Sequence, residues 1–200
     1  MAFYENTIVA KQDLSEKDIK NLVKKYDEII KSSSGKVIKI EEWGLLNLSK
    51  KINNNKKGFF IHFKFEGAKD TLDKIKDKIN VDSSVIRNLT VKYKKLDKDT
   101  EYFKKKWLRM KRKNRKFQKR GVNVLNNLSL FQKNDGKFSR KKCPLSSKNA
   151  PVIDYKNVSL LKKYMSDNGK IMSSKITSVS FNKQRKLTRE IKKAKLLGLI

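Results

Sequence analysis

The chain has 200 residues, and 51 Lys and Arg against 20 Asp and Glu give it a formal net charge of +31. Such an excess destabilises a compact state through self-repulsion, so it indicates a polyanionic partner. A single cysteine and a single histidine exclude an internal disulfide and a four-ligand zinc site. No secretion-signal pattern opens the chain and no stretch approaches the ~18 apolar residues of a membrane span, so no membrane partner is expected.

The first elements predicted are a strand and a helix. Residues 3–10 have the composition of a strand, and Ser15 ahead of Glu16 and Asp18 is typical of a capped helix start. The run Ser-Ser-Ser-Gly at 32–35 ends this helix. Its apolar residues recur at helical spacing: Ile19, Leu22, Val23, Tyr26, Ile29 and Ile30.

Three further strands and a second helix follow up to residue 94. A strand is predicted from Lys36 to about Leu48, and the Asn-rich run 53–58 is predicted to be a turn. Residues 59–65 then alternate, with aromatic and aliphatic side chains on one face, and residues 85–94 alternate again. Leu72, Ile75 and Ile79 mark the helix between them. The order βαββαβ predicts an α+β, ferredoxin-like domain over residues 1–96.

The second half of the chain is much more basic than the first. Residues 101–200 carry 29 basic and 5 acidic residues (+24), whereas residues 1–100 carry 22 and 15 (+7). Within it, residues 104–120 hold eleven Lys and Arg and no acid, too like-charged to fold alone in water. We therefore expect residues 97–137 to be a basic, Asn-rich linker that is flexible in the absence of a partner.

Residues 138–200 are predicted to form a small α-helical domain. A short helix carries Val158 and Leu161 and ends at Asn168-Gly169, and a last helix runs from about Asn182 to Leu197. The apolar residues are too few to bury a good core, and a region of this size usually needs a partner.

Residues 1–95 resemble small-subunit ribosomal protein six along their full length. The resemblance rests on the order of elements and on Phe3-Tyr4-Glu5, Gly35-Lys36-Val37, Glu42-Trp43-Gly44, Ile52-Asn53 and Val85-Ile86-Arg87. The proline that this family usually has before the Ile-Asn pair is absent, and Lys50-Lys51 stand there.

Residues 138–200 resemble small-subunit ribosomal protein eighteen. The strings are Arg140-Lys141-Lys142-Cys143-Pro144, Ile153-Asp154-Tyr155-Lys156, Gly169-Lys170-Ile171, Ser174-Lys175-Ile176-Thr177 and Gln184-Arg185-Lys186-Leu187. A Val-Pro pair common in this family is replaced by Met172-Ser173. The two families are direct neighbours on the platform of the subunit. The resemblance therefore implies that the two domains pair within the chain and bind the central domain of small-subunit rRNA, beside neighbouring small-subunit proteins.

The basic positions have a functional and a neutral interpretation. Lysines such as Lys64 and Lys92 in the sheet are interpreted as a solvated face, and Arg87 is left open between contact with RNA or a partner and exposure to solvent. For the remaining positions, phosphate contact is favoured because few acids lie nearby in sequence. The candidate RNA-binding residues are Arg87, Arg140, Lys141, Lys142, Lys170, Lys175, Lys183, Arg185, Arg189, Lys192 and Lys193.

No catalytic constellation is visible, so no enzyme, cofactor or metal is expected. Glu41 and Glu42 are adjacent on a strand and point to opposite faces, so they cannot act as a pair. His62 is interpreted as a polar-face strand residue and Cys143 as a small packing residue. Trp43, Phe60 and Tyr93 could stack on bases, but packing is favoured.

The sequence thus predicts a structural, rRNA-binding constituent of the bacterial small ribosomal subunit in the cytoplasm. The alternative is an RNA-binding regulator of translation that acts off the ribosome on its own messenger. Sequence alone leaves this alternative open, because a structured messenger can mimic the rRNA site.

Overall fold

The computed structural model describes residues 2–96, 102–103, 143–147 and 150–200. The chain divides into two compact units, one of residues 1–100 with Leu196–Leu199 and one of residues 101–195 with Ile200. The predicted linker 97–137 lies almost entirely outside the described residues, as does the basic arm at 104–120. No helix in the described part of the chain has the length and apolar composition needed to cross a membrane.

The first unit is a four-stranded antiparallel sheet with two helices, which confirms the predicted ferredoxin-like fold. The strands lie in the order β2-β3-β1-β4, so each βαβ half places its two strands on either side of a strand from the other half. The elements are β1 (Ala2–Ala10), α1 (Glu16–Ser32), β2 (Lys36–Ile52), β3 (Asn55–Gly67), α2 (Lys69–Val81) and β4 (Val85–Tyr93).

Both helices pack on one face of the sheet. Alternate residues of β3 point at them, and the register sets Phe65 beside Tyr4 of β1 and Ile61 beside Ile8. The apolar stripe of α1 predicted from the sequence closes this core, together with Ile75 and Ile79 of α2. The capping box is also present, since Ser15 Oγ accepts from Asp18 N and Asp18 Oδ2 accepts from Ser15 N.

The β2–β3 hairpin is longer than predicted. The turn consists only of Asn53 and Asn54, both with positive φ, and β3 already begins at Asn55. Two positive-φ residues form the tight turn whose twist matches that of antiparallel strands, and asparagine tolerates this conformation. The prediction that all of 53–58 is turn was therefore wrong.

A register shift in β4 changes one predicted face. Pairing with β1 slips between Val9 and Ala10, so Val85 packs with the helix-side core. Arg87, Leu89 and Val91 pair with residues whose side chains point to the other face of the sheet. The alternation predicted Val85 on the same face as Leu89. The bulge places them on opposite faces, because one extra residue in a strand moves the side chains beyond it to the other side of the sheet.

The second unit contains three helices within the described residues. They are α3 (Val158–Lys162), α4 (Ser174–Thr177) and α5 (Phe181–Leu196). Gly169 adopts φ +74 in the predicted stop after the first of them, and α4 was not predicted. The buried residues include Ile153, Tyr155, Leu161, Tyr164, Leu187 and Ile191.

Candidate nucleic-acid interface

Helix α5 divides into an apolar face and a basic face. Leu187, Ile191 and Ala194 are buried. Arg185, Arg189 and Lys192, spaced at four and seven residues, are exposed, and we call these three the basic face. The helix has seven Lys and Arg and a single acid, Glu190. No carboxylate among the described residues pairs with the basic face, so it presents uncompensated positive charge.

Glu190 points away from the basic face and holds the unit together. Its Oε2 accepts a hydrogen bond from Tyr155 N at 3.1 Å, and its Oε1 accepts one from Lys193 Nζ at 2.8 Å. Both carboxylate oxygens are thereby occupied inside the unit. Lys193, a predicted RNA-binding residue, is half-buried and engaged in this ion pair.

Two hydrogen bonds hold the segment 169–172 against α5. Lys195 Nζ donates to Gly169 O at 2.8 Å, and Gln184 Nε2 donates to Met172 O at 3.0 Å. They place Lys170 beside the helix with an exposed side chain. Lys175 is exposed on α4 and Lys183 is half-buried on α5. The structure thus gathers most of the predicted C-terminal residues in one unit.

An aromatic residue beside the basic face escaped the sequence prediction. Phe181, the first residue of α5, is 68% exposed, and the guanidinium carbon of Arg185 lies 4.5 Å from its ring centre. This is a cation–π contact on the surface of the protein. The sequence did contain a sign of this exposure. Phe181 opens the helix but does not share the apolar line formed by Leu187, Ile191 and Ala194.

The remaining predicted positions are not brought to this face by the described structure. Arg87 is exposed on β4, in the first unit. Arg140, Lys141 and Lys142 lie outside the described residues. Cys143 directly after them accepts a hydrogen bond from Ser180 N at 3.2 Å. Burial raises the pKa of the Cys143 thiol, but hydrogen bonds from Ser146 and Ser180 outweigh it and lower the pKa to about 7.

The sheet face opposite α1 and α2, which we call the helix-free face, contains a buried ionic cluster. Lys64 Nζ lies 3.0 Å from Glu41 Oε1, and only 1% of Lys64 is exposed. Lys64 was predicted to be a solvated surface lysine, and that was wrong. The pKa of Glu41 is raised by burial but lowered further by hydrogen bonding and charge from Lys64 and by Trp43, so it lies below its usual range.

His62 belongs to the same buried cluster. Thr7 Oγ1 lies 2.8 Å from His62 Nδ1, Glu5 Oε1 lies 3.8 Å from Nε2, and the Trp43 ring stacks on the imidazole at 4.9 Å. Trp43, which is half-buried, also stacks at 6.2 Å on the buried Phe60 ring, so both rings pack against protein side chains. Within the described residues, no group of three or more His, Cys, Asp or Glu could hold a metal ion.

Comparisons with known proteins match each part of the chain to a family. The family model of ribosomal protein S6 matches residues 3–92, and that of ribosomal protein S18 matches residues 149–200. Small ribosomal subunit protein bS6 of Pelagibacter ubique is 42% identical over 106 residues, 53% of this chain and 88% of that protein. Protein bS18 of the same organism is 62% identical over 73 residues, 36% of this chain and 78% of that protein. The chain belongs to both families.

Two further proteins are similar to parts of this chain. The bS18 protein of a Chelativorans species is 59% identical over 61 residues, 30% of this chain and 74% of that protein. The crystal structure of 30S ribosomal protein S6 from Thermotoga maritima has a TM-score of 0.45 and 21% identity, and covers 59% of this chain and 98% of that chain.

The predicted fusion of ribosomal proteins S6 and S18 is thereby confirmed. As a member of two families of small-subunit ribosomal proteins, the chain has a structural role in the small ribosomal subunit and is not an enzyme. Membership also confirms the predicted location, the ribosome in the cytoplasm, and implies contact with rRNA and with other ribosomal proteins.

Proposed function

We propose that the S18 part binds the central domain of small-subunit rRNA through the basic face of α5. The observation that carries this proposal is that Arg185, Arg189 and Lys192 project together into solvent with no described carboxylate to neutralise them. Charged side chains that bind phosphate release counterions from RNA, and arginine adds a two-pronged hydrogen bond. Lys170 and Lys175, exposed in the same unit, extend the proposed contact.

Phe181 adds a different kind of contact to the proposed surface. Single-stranded loops and bulges of RNA splay bases onto aromatic rings and onto guanidinium planes. An exposed ring with Arg185 stacked on it offers both at the edge of a phosphate-binding surface. We propose that the surface therefore takes an unpaired base beside a helix, not a continuous duplex alone.

We further propose that the S6 and S18 parts pack together within the chain. The support is chemical. Besides its ionic cluster, the helix-free face of the sheet carries Val9, Phe60, Leu89 and Val91, and such apolar area in water would cost free energy. Fusion raises the effective concentration of one part for the other.

The test of RNA binding is the salt dependence of affinity for an rRNA central-domain fragment. Replacing Arg185, Arg189 and Lys192 with Ala should make the negative slope of log binding constant against log salt concentration less steep by roughly two to three. Each lost phosphate contact removes ~0.7–0.9 from the size of that slope. The matched control replaces Lys17, Lys20 and Lys24, three exposed lysines on α1, and removes the same net charge. An equal change in both variants would mean that only overall charge matters.

Sedimentation separates this function from regulation off the ribosome. A structural constituent co-sediments with the small subunit in near-stoichiometric amount, whereas a messenger-bound regulator remains largely in light fractions. Antibodies to both ends of the chain would show whether the two parts travel together. Absence of both ends from the subunit fractions would overturn the proposal.

A further inference from the structure

The segment Leu196–Leu199 belongs to the first unit, with the sheet. Ser49 N on β2 donates a hydrogen bond of 2.8 Å to Gly198 O. Leu197 is fully buried and Leu199 is nearly so. The sequence predicted these residues as part of the helical region, but the segment Leu196–Leu199 packs with the N-terminal domain.

The segment lies at the projecting end of the β2–β3 hairpin. β1 ends at Ala10, opposite Phe59 of β3, so the hairpin beyond this pair extends past the neighbouring strand. Leu48 and Ile52 on this extension are buried nonetheless. Within the first unit they lie against the C-terminal segment, because Gly198 sits between them.

Gly198 is required for this contact on two counts. Its φ is +70, a conformation that side chains of L-residues rarely adopt. A Cβ at this position would also lie 3.1 Å from Leu48 Cδ2 and 3.2 Å from Ile52 Cδ1, closer than ordinary van der Waals contact. The glycine therefore lets the backbone approach the two apolar side chains and turn towards Ser49.

We propose that Leu196–Leu199 is an anchor segment, a short apolar ligand that the N-terminal domain binds at Leu48, Ile52 and Ser49. Because the segment continues directly from α5, the anchor tethers the end of the RNA-binding helix to the N-terminal domain independently of the linker at 97–137. This inference rests on the proposed pairing of the two parts and names the residues that hold it.

The first experiment measures amide hydrogen exchange at Ser49 in the full-length protein. Gly198→Ala should speed exchange at Ser49 about tenfold, since the donor loses its acceptor when the segment withdraws. Gly44→Ala is the matched control: Gly44 lies on the same strand with φ +78, but a Cβ there would meet no heavy atom within 4 Å. If exchange at Ser49 is accelerated equally in both variants, backbone strain alone explains the effect and the anchor proposal is wrong.

The second experiment asks what holds the parts together once the linker is cut. A site-specific protease sequence is inserted within residues 121–137, and the cut protein is analysed by size-exclusion chromatography. The two pieces of the cut full-length chain should elute as one complex. When the chain ends at Lys195, the two pieces should come apart at protein concentrations about tenfold higher than those at which the full-length pieces come apart. Circular dichroism before cutting checks that the shortened chain is folded.

The outcomes of the second experiment distinguish the two proposals. If the cut full-length chain separates completely, the pairing of the two parts fails. If both cut chains stay associated with equal affinity, the pairing stands and the anchor is wrong. Gly198→Ala provides the milder variant should the shortened chain not fold, with the loss of association again compared against Gly44→Ala.

Discussion

The S6 part and helix α5 of the S18 part use charged residues in different ways. In the S6 part, several cations are paired with acids: Lys25 with Asp82 at 2.7 Å, Lys31 with Asp27 at 2.6 Å, and Lys64 with Glu41 at 3.0 Å. On α5 of the S18 part, the single acid, Glu190, is turned inward and the basic face is left without a described partner.

The contrast separates charge that supports the fold from charge that serves a partner. Removing one partner of a buried ion pair leaves the other charge desolvated and uncompensated, so it costs stability. An exposed set of like charges contributes nothing to the fold and repels itself, and a polyanion removes that repulsion. Stability should therefore depend strongly on cations in the first part and weakly on the basic face in the second.

The largest effect expected is for Lys64. Lys64→Ala should lower the free energy of unfolding by about 3 kcal/mol, because Glu41 remains buried without its nearest cation. Lys39 Nζ, at 3.3 Å from the same carboxylate oxygen, keeps the loss from being larger. Urea denaturation of the full chain measures it.

Lys92, exposed on β4, is the control for that measurement. Lys92→Ala should change the free energy of unfolding by less than about 0.5 kcal/mol, as surface substitutions usually do. Replacing both Lys64 and Glu41 with Met should recover most of the stability, since apolar side chains of similar length fill the space and leave no unpaired charge between them. If Lys64→Ala and Lys92→Ala were equally mild, the buried pair would be of no structural importance.

A smaller loss is expected for the one acid on α5. Glu190→Ala leaves the buried Tyr155 amide without its acceptor, which costs about 1–3 kcal/mol. Glu190→Gln retains an acceptor oxygen and should recover a large part of this. Denaturation followed by circular dichroism reports the difference, and Asp167→Ala, at an exposed acid of the same unit, is the control. A loss as large in Glu190→Gln as in Glu190→Ala would place the effect in the charge and not in the hydrogen bond.

The order of elements and the helix-side core were predictable because they follow local patterns. Alternation along residues 59–65 and the three- and four-residue spacing in α1 determine which side chains face each other whatever else the chain does. The basic face of α5 was predictable for the same reason, since spacings of four and seven residues place side chains on one side of any helix.

The features that were missed depend on contacts between distant residues. Lys64 alternates with phenylalanines like any surface residue of a half-buried strand, and only its pairing with Glu41 on the neighbouring strand marks it as buried. The turn at Asn53-Asn54 lies inside a longer polar run, and cross-strand pairing decides which residues turn. Leu196–Leu199 looks like the end of a helix until its hydrogen bond to Ser49 is known.

The smallest effect concerns Asp82, whose pair with Lys25 is partly exposed. Burial raises the pKa of Asp82, but hydrogen bonds from Lys25, Ser84 and Tyr26 outweigh it and hold the pKa below its usual range. A carboxyl whose pKa is lower in the folded state stabilises the fold above its unfolded pKa, and this contribution is lost as pH falls through the folded pKa. Asp82→Asn should therefore cost up to about 1 kcal/mol at neutral pH, the range of exposed pairs, and nothing once carboxyls are protonated. Urea denaturation from neutral pH down to the pH at which carboxyls are protonated measures the difference in free energy of unfolding between the wild-type chain and Asp82→Asn. A difference that stays constant with pH would assign the cost to lost hydrogen bonds and not to the charge.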